Sequence, residues 1–135
     1  MAIAQKKGIG FVNRTNLALN CTDPTLLDTP AFRGMTDAAV EVGLEAYEKQ
    51  QKAIIARNDM LDRLALVMCP TTIIVGKSDT TTPPEEARAL HNAMPGSELH
   101  EIAASGHCVP LERPMQVNQL IETVIANGER ATNRG

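Results

Sequence analysis

The sequence predicts an α/β fold in the second half of the chain, behind a first half that is largely helical. Two short apolar segments, residues 71–75 and residues 99–103, have the composition of β-strands. Helical periodicity fills the segment between them and the segment after them. This order of elements predicts two parallel strands joined by a right-handed crossover helix and flanked by further helices, from about Leu66 on.

The opening of the chain predicts a helix and a connector. Residues 1–20 have a loose helical pattern that Gly8 and Gly10 interrupt. Residues 21–30 contain the steps Thr-Asp-Pro and Asp-Thr-Pro. Because proline fixes φ and lacks a backbone donor, these steps favour a turn or a helix start. We therefore expect a connector with one short helical turn.

A longer helix follows the connector. From Thr36 onward, apolar side chains recur at three- and four-residue spacing, and Thr36 is a suitable N-cap residue. This pattern predicts an amphipathic helix from Thr36 to about Arg57. A second, short helix is expected at residues 60–66, before the first strand.

The first strand and the crossover helix have distinct signals. Residues 71–75 are β-branched throughout, which is typical of a parallel strand covered on both faces, and Gly76 ends the strand. Residues 82–85 (Thr-Pro-Pro-Glu) combine a capping box with proline at the first helical position. We expect Thr82 to cap a helix that runs to Met94.

The end of the chain predicts one more strand and one more helix. Residues 99–103 form the second strand, and apolar residues at helical spacing predict a closing helix from Met115 to Ala126. The tail from Asn127 is rich in Gly and Arg, so we expect it to be frayed.

Composition excludes several classes of function. The 13 basic and 16 acidic residues give a net charge of −3, and one Tyr and two Phe are too few for a base-stacking platform, so no nucleic-acid partner is expected. The three cysteines form no Cys-x-x-Cys pair, which argues against a zinc site or a disulfide framework and favours a cytoplasmic location. The chain contains no signal-type segment and no stretch of about 20 apolar residues, so no membrane association is expected.

Catalytic and ligand-binding residues are expected in the loops after the two strands, because loops converge at the carboxyl ends of parallel strands. The first loop carries Asp79 and the second carries His107. Adjacent strands lie about 5 Å apart, so a hydrogen bond between the two side chains is geometrically natural. Asp79 would fix the tautomer of His107, whose other ring nitrogen could act as a general base. Taken singly, Asp79 could be a turn residue and His107 an ordinary loop histidine.

Three segments resemble α/β-hydrolases near the end of their fold. Residues 69–84 (CPTTIIVGKSDTTTPP) resemble the family's Cys-Pro opening, apolar strand, glycine and acid loop. Residues 94–97 (MPGS) resemble its next turn. Residues 104–107 (ASGH), followed by Pro110 and the Glu-Arg-Pro step at 112–114, resemble its histidine loop. The resemblance covers roughly residues 44–126, and it is strongest over residues 69–114.

This resemblance implies an organisation and an activity. Residues 1–60 would form a helical cap-like region, and residues 61–135 the C-terminal portion of the hydrolase core. Asp79 would be the acid and His107 the base of a Ser-His-Asp triad that hydrolyses an ester, a lactone or a similar carbon-centred bond of a small-molecule substrate. No metal and no organic cofactor are implied.

The serine nucleophile of this family is missing from the sequence. α/β-Hydrolases carry it on a Gly-x-Ser-x-Gly elbow that precedes the acid, and the 135 residues contain no such elbow. Ser105 lies on the same loop as His107, which makes attack assisted by that ring strained. Cys108 is the other nearby nucleophile, and adjacency in sequence does not make a Cys-His pair.

Three alternatives for the missing half remain open. A two-stranded apolar sheet leaves an edge that favours a neighbour. The chain could be part of a longer enzyme, pair with a separate N-terminal half, or form a homo-oligomer through that edge. A rival interpretation is a non-catalytic hydrolase-derived domain that binds a small ligand or a partner protein. A second rival is the chemistry of dehalogenases, epoxide hydrolases or cofactor-free oxygenases, which share the fold.

Overall fold

The structure is a computed structural model that describes the backbone of residues 2–132 and the side chains of residues 3–128. The chain forms two compact units, Met1–Asp59 and Met60–Gly135. We call the first the helical unit and the second the α/β unit. Within the described residues, no helix is long and apolar enough to cross a lipid bilayer.

The helical unit consists of three α-helices and one 3₁₀ turn. Helix α1 spans Ala2–Lys7, α2 spans Ile9–Asn20, the 3₁₀ turn spans Pro24–Asp28 and α3 spans Pro30–Ile55. Helices α2 and α3 pack against each other. The buried apolar side chains come from all four elements and are Ala4, Ile9, Leu17, Leu27 and Phe32.

The long helix begins earlier than the sequence indicated. Thr36 was predicted to be its N-cap, but α3 starts at Pro30, with Thr29 in the N-cap position. Proline at the first helical position already has the φ angle that a helix requires. The preceding 3₁₀ turn ends at Asp28, with Thr29 as its C-cap, so α3 can begin at Pro30. Thr36 therefore lies within the helix, where its hydroxyl is 3.2 Å from Asn13 Oδ1.

Helix α3 is broken once, at Gly43. Its φ of 77° and ψ of 168° lie in a region that only glycine visits readily. An added Cβ would meet no heavy atom within 4 Å, so the demand for glycine comes from the backbone alone.

The α/β unit contains the predicted strands and crossover helix. After a 3₁₀ turn at Leu61–Leu66 come β1 (Thr72–Gly76), α4 (Pro84–Ala93), β2 (Glu98–Ile102), α5 (Val109–Glu112) and α6 (Pro114–Thr132). Strands β1 and β2 are parallel, with Thr72 opposite Glu98 and Gly76 opposite Ile102. The predicted α/β fold class is confirmed. The buried apolar side chains of the α/β unit are Val75, Ala87, Met94, Cys108, Val109 and Val117.

The end of the chain differs from the prediction. Helix α6 begins at Pro114 and continues through Asn127 and Gly128 to Thr132, where a frayed tail was expected. Glu, Arg and Ala, which follow Gly128, are strong helix formers, so they add little to the roughly 1 kcal/mol cost of one helical glycine. The last three residues lie outside the described part of the chain.

We expect Gly43→Ala to lower the free energy of unfolding of the helical unit by about 1 to 3 kcal/mol, because alanine strains this backbone conformation. Gly34→Ala is the matched control: it lies in the same helix with open space around it, and it should stabilise by about 0.5 to 1 kcal/mol. Urea unfolding followed by the fluorescence of Tyr47, the only tyrosine, measures both. If the two variants had the same free energy of unfolding, residue 43 would have ordinary helical backbone angles in solution and α3 would be unbroken there.

Candidate active site

The acid loop leaves the sheet directly after β1 and buries its carboxylate. A tight turn, in which the Asp79 N–H donates to Gly76 O at 3.1 Å, turns the chain back. The Asp79 side chain is only 4% exposed. Its Oδ1 accepts the backbone N–H groups of Thr81 at 2.8 Å and Thr82 at 3.0 Å. The loop's own backbone thus fixes the carboxylate.

The second carboxylate oxygen faces the histidine. Oδ2 of Asp79 lies 2.9 Å from His107 Nδ1, so the structure brings together the two side chains singled out from the sequence. The Thr82 hydroxyl donates to the same oxygen at 3.0 Å and lies 3.2 Å from His107 Nδ1. Each of these four hydrogen bonds therefore places a donor group against the carboxylate of Asp79.

The role predicted for Thr82 is wrong. It was expected to cap α4, but Pro83 occupies the N-cap position and α4 begins at Pro84. The Thr82 hydroxyl instead bonds to the carboxylate of Asp79. Its backbone N–H also bonds to Asp79, so Thr82 belongs to the acid loop, and the helix begins two residues later at Pro84, whose fixed φ suits the first helical position.

Asp79 is ionised in this environment. Burial, the largest single influence, pushes its pKa upward, but hydrogen bonds from the Thr82 backbone, His107, the Thr81 backbone and the Thr82 hydroxyl together hold the pKa of Asp79 below its usual range. A carboxylate can only accept, so the His107 nitrogen facing it is the one that carries the proton. The Nε2 lone pair is then left as the basic position of the ring.

The imidazole is reachable from solvent, since the His107 side chain is 42% exposed while Asp79 is buried. An accessible imidazole can accept a proton from a nucleophile, and the buried carboxylate behind it stabilises the imidazolium that forms. Such a pair is suited to general acid–base chemistry.

Backbone contacts attach the histidine loop to the acid loop. The Ser78 N–H donates to Ser105 O, and the Lys77 N–H donates to Ile102 O, both at 2.9 Å. The carbonyls of Ser105 and Gly106 approach Gly76 so closely that a Cβ at that position would overlap them. Glycine at the end of β1 is therefore a requirement of the site and not only a strand terminator.

A buried glutamate anchors the other side of the histidine loop. Glu112 is 5% exposed, and its Oε1 accepts the Gly106 N–H at 2.8 Å and lies 3.5 Å from Ser105 Oγ. From the sequence, Glu112 was recognisable only as part of a motif, and the hydrogen bonds of Thr82 to Asp79 were not predicted. The signals available were a run of three threonines after Asp79 and a carboxylate within an otherwise apolar short helix.

The two substitute nucleophiles are poorly placed. Ser105 is completely buried and its hydroxyl faces Glu112, while Cys108 is 9% exposed. Neither offers an accessible attacking atom.

The surroundings of the site are polar. A cleft of about 740 Å³ beside the acid loop has Lys77 on its wall, together with Arg88, which pairs with Glu101 at 2.6 Å and with Glu85 at 3.1 Å. Across the described residues, no cluster of three or more His, Cys, Asp or Glu side chains could hold a metal ion.

Known proteins match this chain over 92–93% of its length in structure and over part of it in sequence. The chain matches no protein-family profile. It is 36% identical over 56 residues to the uncharacterized hydrolase YugF of Bacillus subtilis, a match that covers 42% of this chain and 20% of that protein. A thermophilic esterase from Thermogutta terrifontis is 26% identical, with a TM-score of 0.78 over 92% of this chain and 46% of its own. The enol-lactonase from Burkholderia xenovorans LB400 is 21% identical, with a TM-score of 0.79 over 93% of this chain and 48% of its own.

These likenesses define the fold. The chain has the fold of the C-terminal part of an α/β-hydrolase, and the resemblance to that fold family is confirmed. It spans about half the length of the solved chains that it matches and a smaller share of its curated relative.

We expect Asp79→Asn to lower the free energy of unfolding of the α/β unit by about 1.5 to 3 kcal/mol at neutral pH, because charge-assisted hydrogen bonds to a buried group are weakened. The pKa of Asp79 is lower when folded than its ordinary value of about 3.9, so its stabilisation is complete above that pH and is lost as the pH falls through the folded-state pKa. The difference from wild type should therefore shrink below about pH 4.

Urea unfolding followed by the NMR amide signals of β1, at neutral and at acidic pH, measures this difference. Asp62→Asn is the control, since Asp62 is exposed in the same unit and its replacement should change stability by less than about 0.5 kcal/mol. A difference for Asp79→Asn that stays constant with pH would contradict the assignment.

Proposed function

We propose that this chain supplies the acid and the general base of an α/β-hydrolase that cleaves an ester, a lactone or a similar carbon-centred bond. The observation that carries the proposal is the 2.9 Å hydrogen bond between a buried, ionised Asp79 and a solvent-accessible His107. The esterase and the enol-lactonase named above share its fold, which favours a carbonyl substrate.

In this mechanism, Nε2 of His107 removes the proton from a serine hydroxyl as the oxygen attacks the carbonyl carbon of the substrate. Asp79 stabilises the resulting imidazolium through Nδ1–H. His107 then donates the proton to the leaving oxygen, the acyl group remains on the serine, and a water molecule activated by the same ring releases it. The serine comes from outside these 135 residues, which lack the elbow.

We further propose that a complementary N-terminal half carries that elbow and pairs with the free edge of β1, whether in the same polypeptide or in a separate one. Among the described strands, β1 pairs only with β2, so one edge of this apolar strand offers unpaired backbone groups. Large apolar side chains nearby in the sequence support an interface, since Leu66 is 77% and Met68 is 90% exposed.

Activity can be tested by joining this chain to the N-terminal half of the Thermogutta terrifontis esterase, cut where the structural match begins. We expect the folded chimera to hydrolyse a short-chain p-nitrophenyl ester. Asp79→Asn should reduce kcat by about 10⁴-fold, because the wrong tautomer of His107 is then favoured. His107→Ala should have at least as large an effect.

His91→Ala is the matched control, because His91 bonds to Ser97 away from the site, and its rate should stay within about twofold of the parent. A folded chimera whose rate is the same with and without His107 would contradict the proposal. A folded but inactive chimera would favour the non-catalytic, ligand-binding alternative. Turnover by the chain alone that disappears in His107→Ala would mean that Ser105 or Cys108 is a nucleophile after all.

The β1 edge predicts self-association of the isolated chain. We expect sedimentation velocity at micromolar concentration to show a dimer, and the amide hydrogen exchange of β1 to slow as concentration rises, because the free edge becomes paired. Amides of α4, whose hydrogen bonds are internal to the helix, serve as the reference. A monomer with concentration-independent exchange would argue against this edge as the interface.

A further inference from the structure

One peptide group, between Ser105 and Gly106, is held at both ends. Its carbonyl oxygen, on Ser105, accepts the Ser78 N–H of the acid loop at 2.9 Å. Its N–H, on Gly106, donates to Oε1 of Glu112 at 2.8 Å. Because the peptide group is planar, fixing both of its polar atoms fixes its orientation.

This peptide group lies one residue before His107, with only Gly106 between them. With its plane fixed, only a few backbone dihedral angles separate it from the imidazole ring. The acid loop that holds the carbonyl end through Ser78 also carries Asp79, one residue further on. The backbone before His107 is thus held in place relative to Asp79. The hydrogen bond to Ser78 holds one end of the peptide group, and the hydrogen bond to Glu112 holds the other.

Burial makes the Glu112 contact a strong one. Glu112 is 5% exposed and Ser105 is 0% exposed, so their hydrogen bonds lie in a medium of low dielectric constant. A carboxylate is costly to bury and is retained only with donors facing it. Its pull on the Gly106 N–H also polarises the peptide group and strengthens the bond that the Ser105 carbonyl makes on the other side.

We propose that Glu112 is a positioning residue that sets His107 against Asp79 by fixing the Ser105–Gly106 peptide group. Its importance for catalysis rests on the function proposed above. The positioning itself is a property of this chain and can be measured without any turnover.

The experiment is NMR on the full chain, with three readouts: amide exchange at Gly106, the Nδ1 proton signal of His107, and the ring nitrogen shifts that report its tautomer. In Glu112→Ala we expect Gly106 exchange to be about ten to a hundred times faster, because a charge-assisted hydrogen bond is lost. The Nδ1 proton signal should weaken and the tautomers should become mixed. Glu112→Gln keeps an acceptor oxygen and should restore the tautomer, with Gly106 exchange only a few times faster than in wild type.

Glu122→Ala is the matched control, because Glu122 is exposed on α6 and its removal should leave all three readouts unchanged. Faster Gly106 exchange with an unchanged His107 signal and tautomer in Glu112→Ala would overturn the proposal, since Glu112 would then stabilise the loop without positioning the ring. If Glu112→Ala unfolds, Glu112→Gln decides: the few-fold faster exchange at Gly106 accompanied by faster exchange of the His107 Nδ1 proton, with the tautomer retained, supports the proposal, and faster exchange at Gly106 with an unchanged Nδ1 proton overturns it. An inactive chimera with these NMR results intact would count against the proposed function and not against the positioning.

Discussion

The parallel pairing of β1 and β2 is the constraint on which the site depends. Gly76 lies opposite Ile102, so the two loops leave the sheet at the same level, about 5 Å apart. A slip of one residue in this register would displace the histidine loop along the sheet by about 3 Å, which is more than the tolerance of a hydrogen bond. The contact between the Gly76 backbone and the carbonyls of Ser105 and Gly106 opposes such a slip.

The electrostatics of the pair are asymmetric. The negative charge of Asp79 is buried and surrounded by donors, whereas the imidazole of His107 is in contact with water. Water weakens the attraction between a carboxylate and an imidazolium many times over compared with a dry site. A polypeptide that covered the imidazole ring would therefore strengthen the attraction between Asp79 and the imidazolium form of His107. Covering the ring would in this way favour proton transfer to it.

How far the sequence could predict this structure differs between elements. The β-branched run before Gly76 and the loops that carry Asp79 and His107 were recognisable, because a β-branched run, turn residues and strand ends are local patterns. Element ends were less predictable: Thr36 and Thr82 both have the chemistry of an N-cap, but each hydroxyl has a partner elsewhere in the fold. A capping motif describes only one of the hydrogen bonds that a threonine can make.

The anchoring of the histidine loop was not predictable in this way. Glu112 bonds to the Gly106 N–H six residues earlier in the chain; a carboxylate within an apolar short helix indicates a buried partner, but it does not identify the donor. The continuation of α6 past Asn127 was missed because Gly and Arg were taken as signs of fraying, although the residues after Gly128 favour a helix. The roles of Asp79 and His107 in catalysis, and the cap-like role of the first half, stay predictions.

The hydrogen bonds described above that hold the acid and the base all join residues between Gly76 and Glu112. The carboxylate is fixed by its own loop, the ring by the carboxylate and the loop that carries it, and that loop by Ser78 and Glu112. A recombination point placed before residue 76 or after residue 112 keeps all of these partners in one segment, whereas a break between residues 79 and 107 separates acid from base. A chimera joined outside the segment therefore inherits both members of the pair from the same parent.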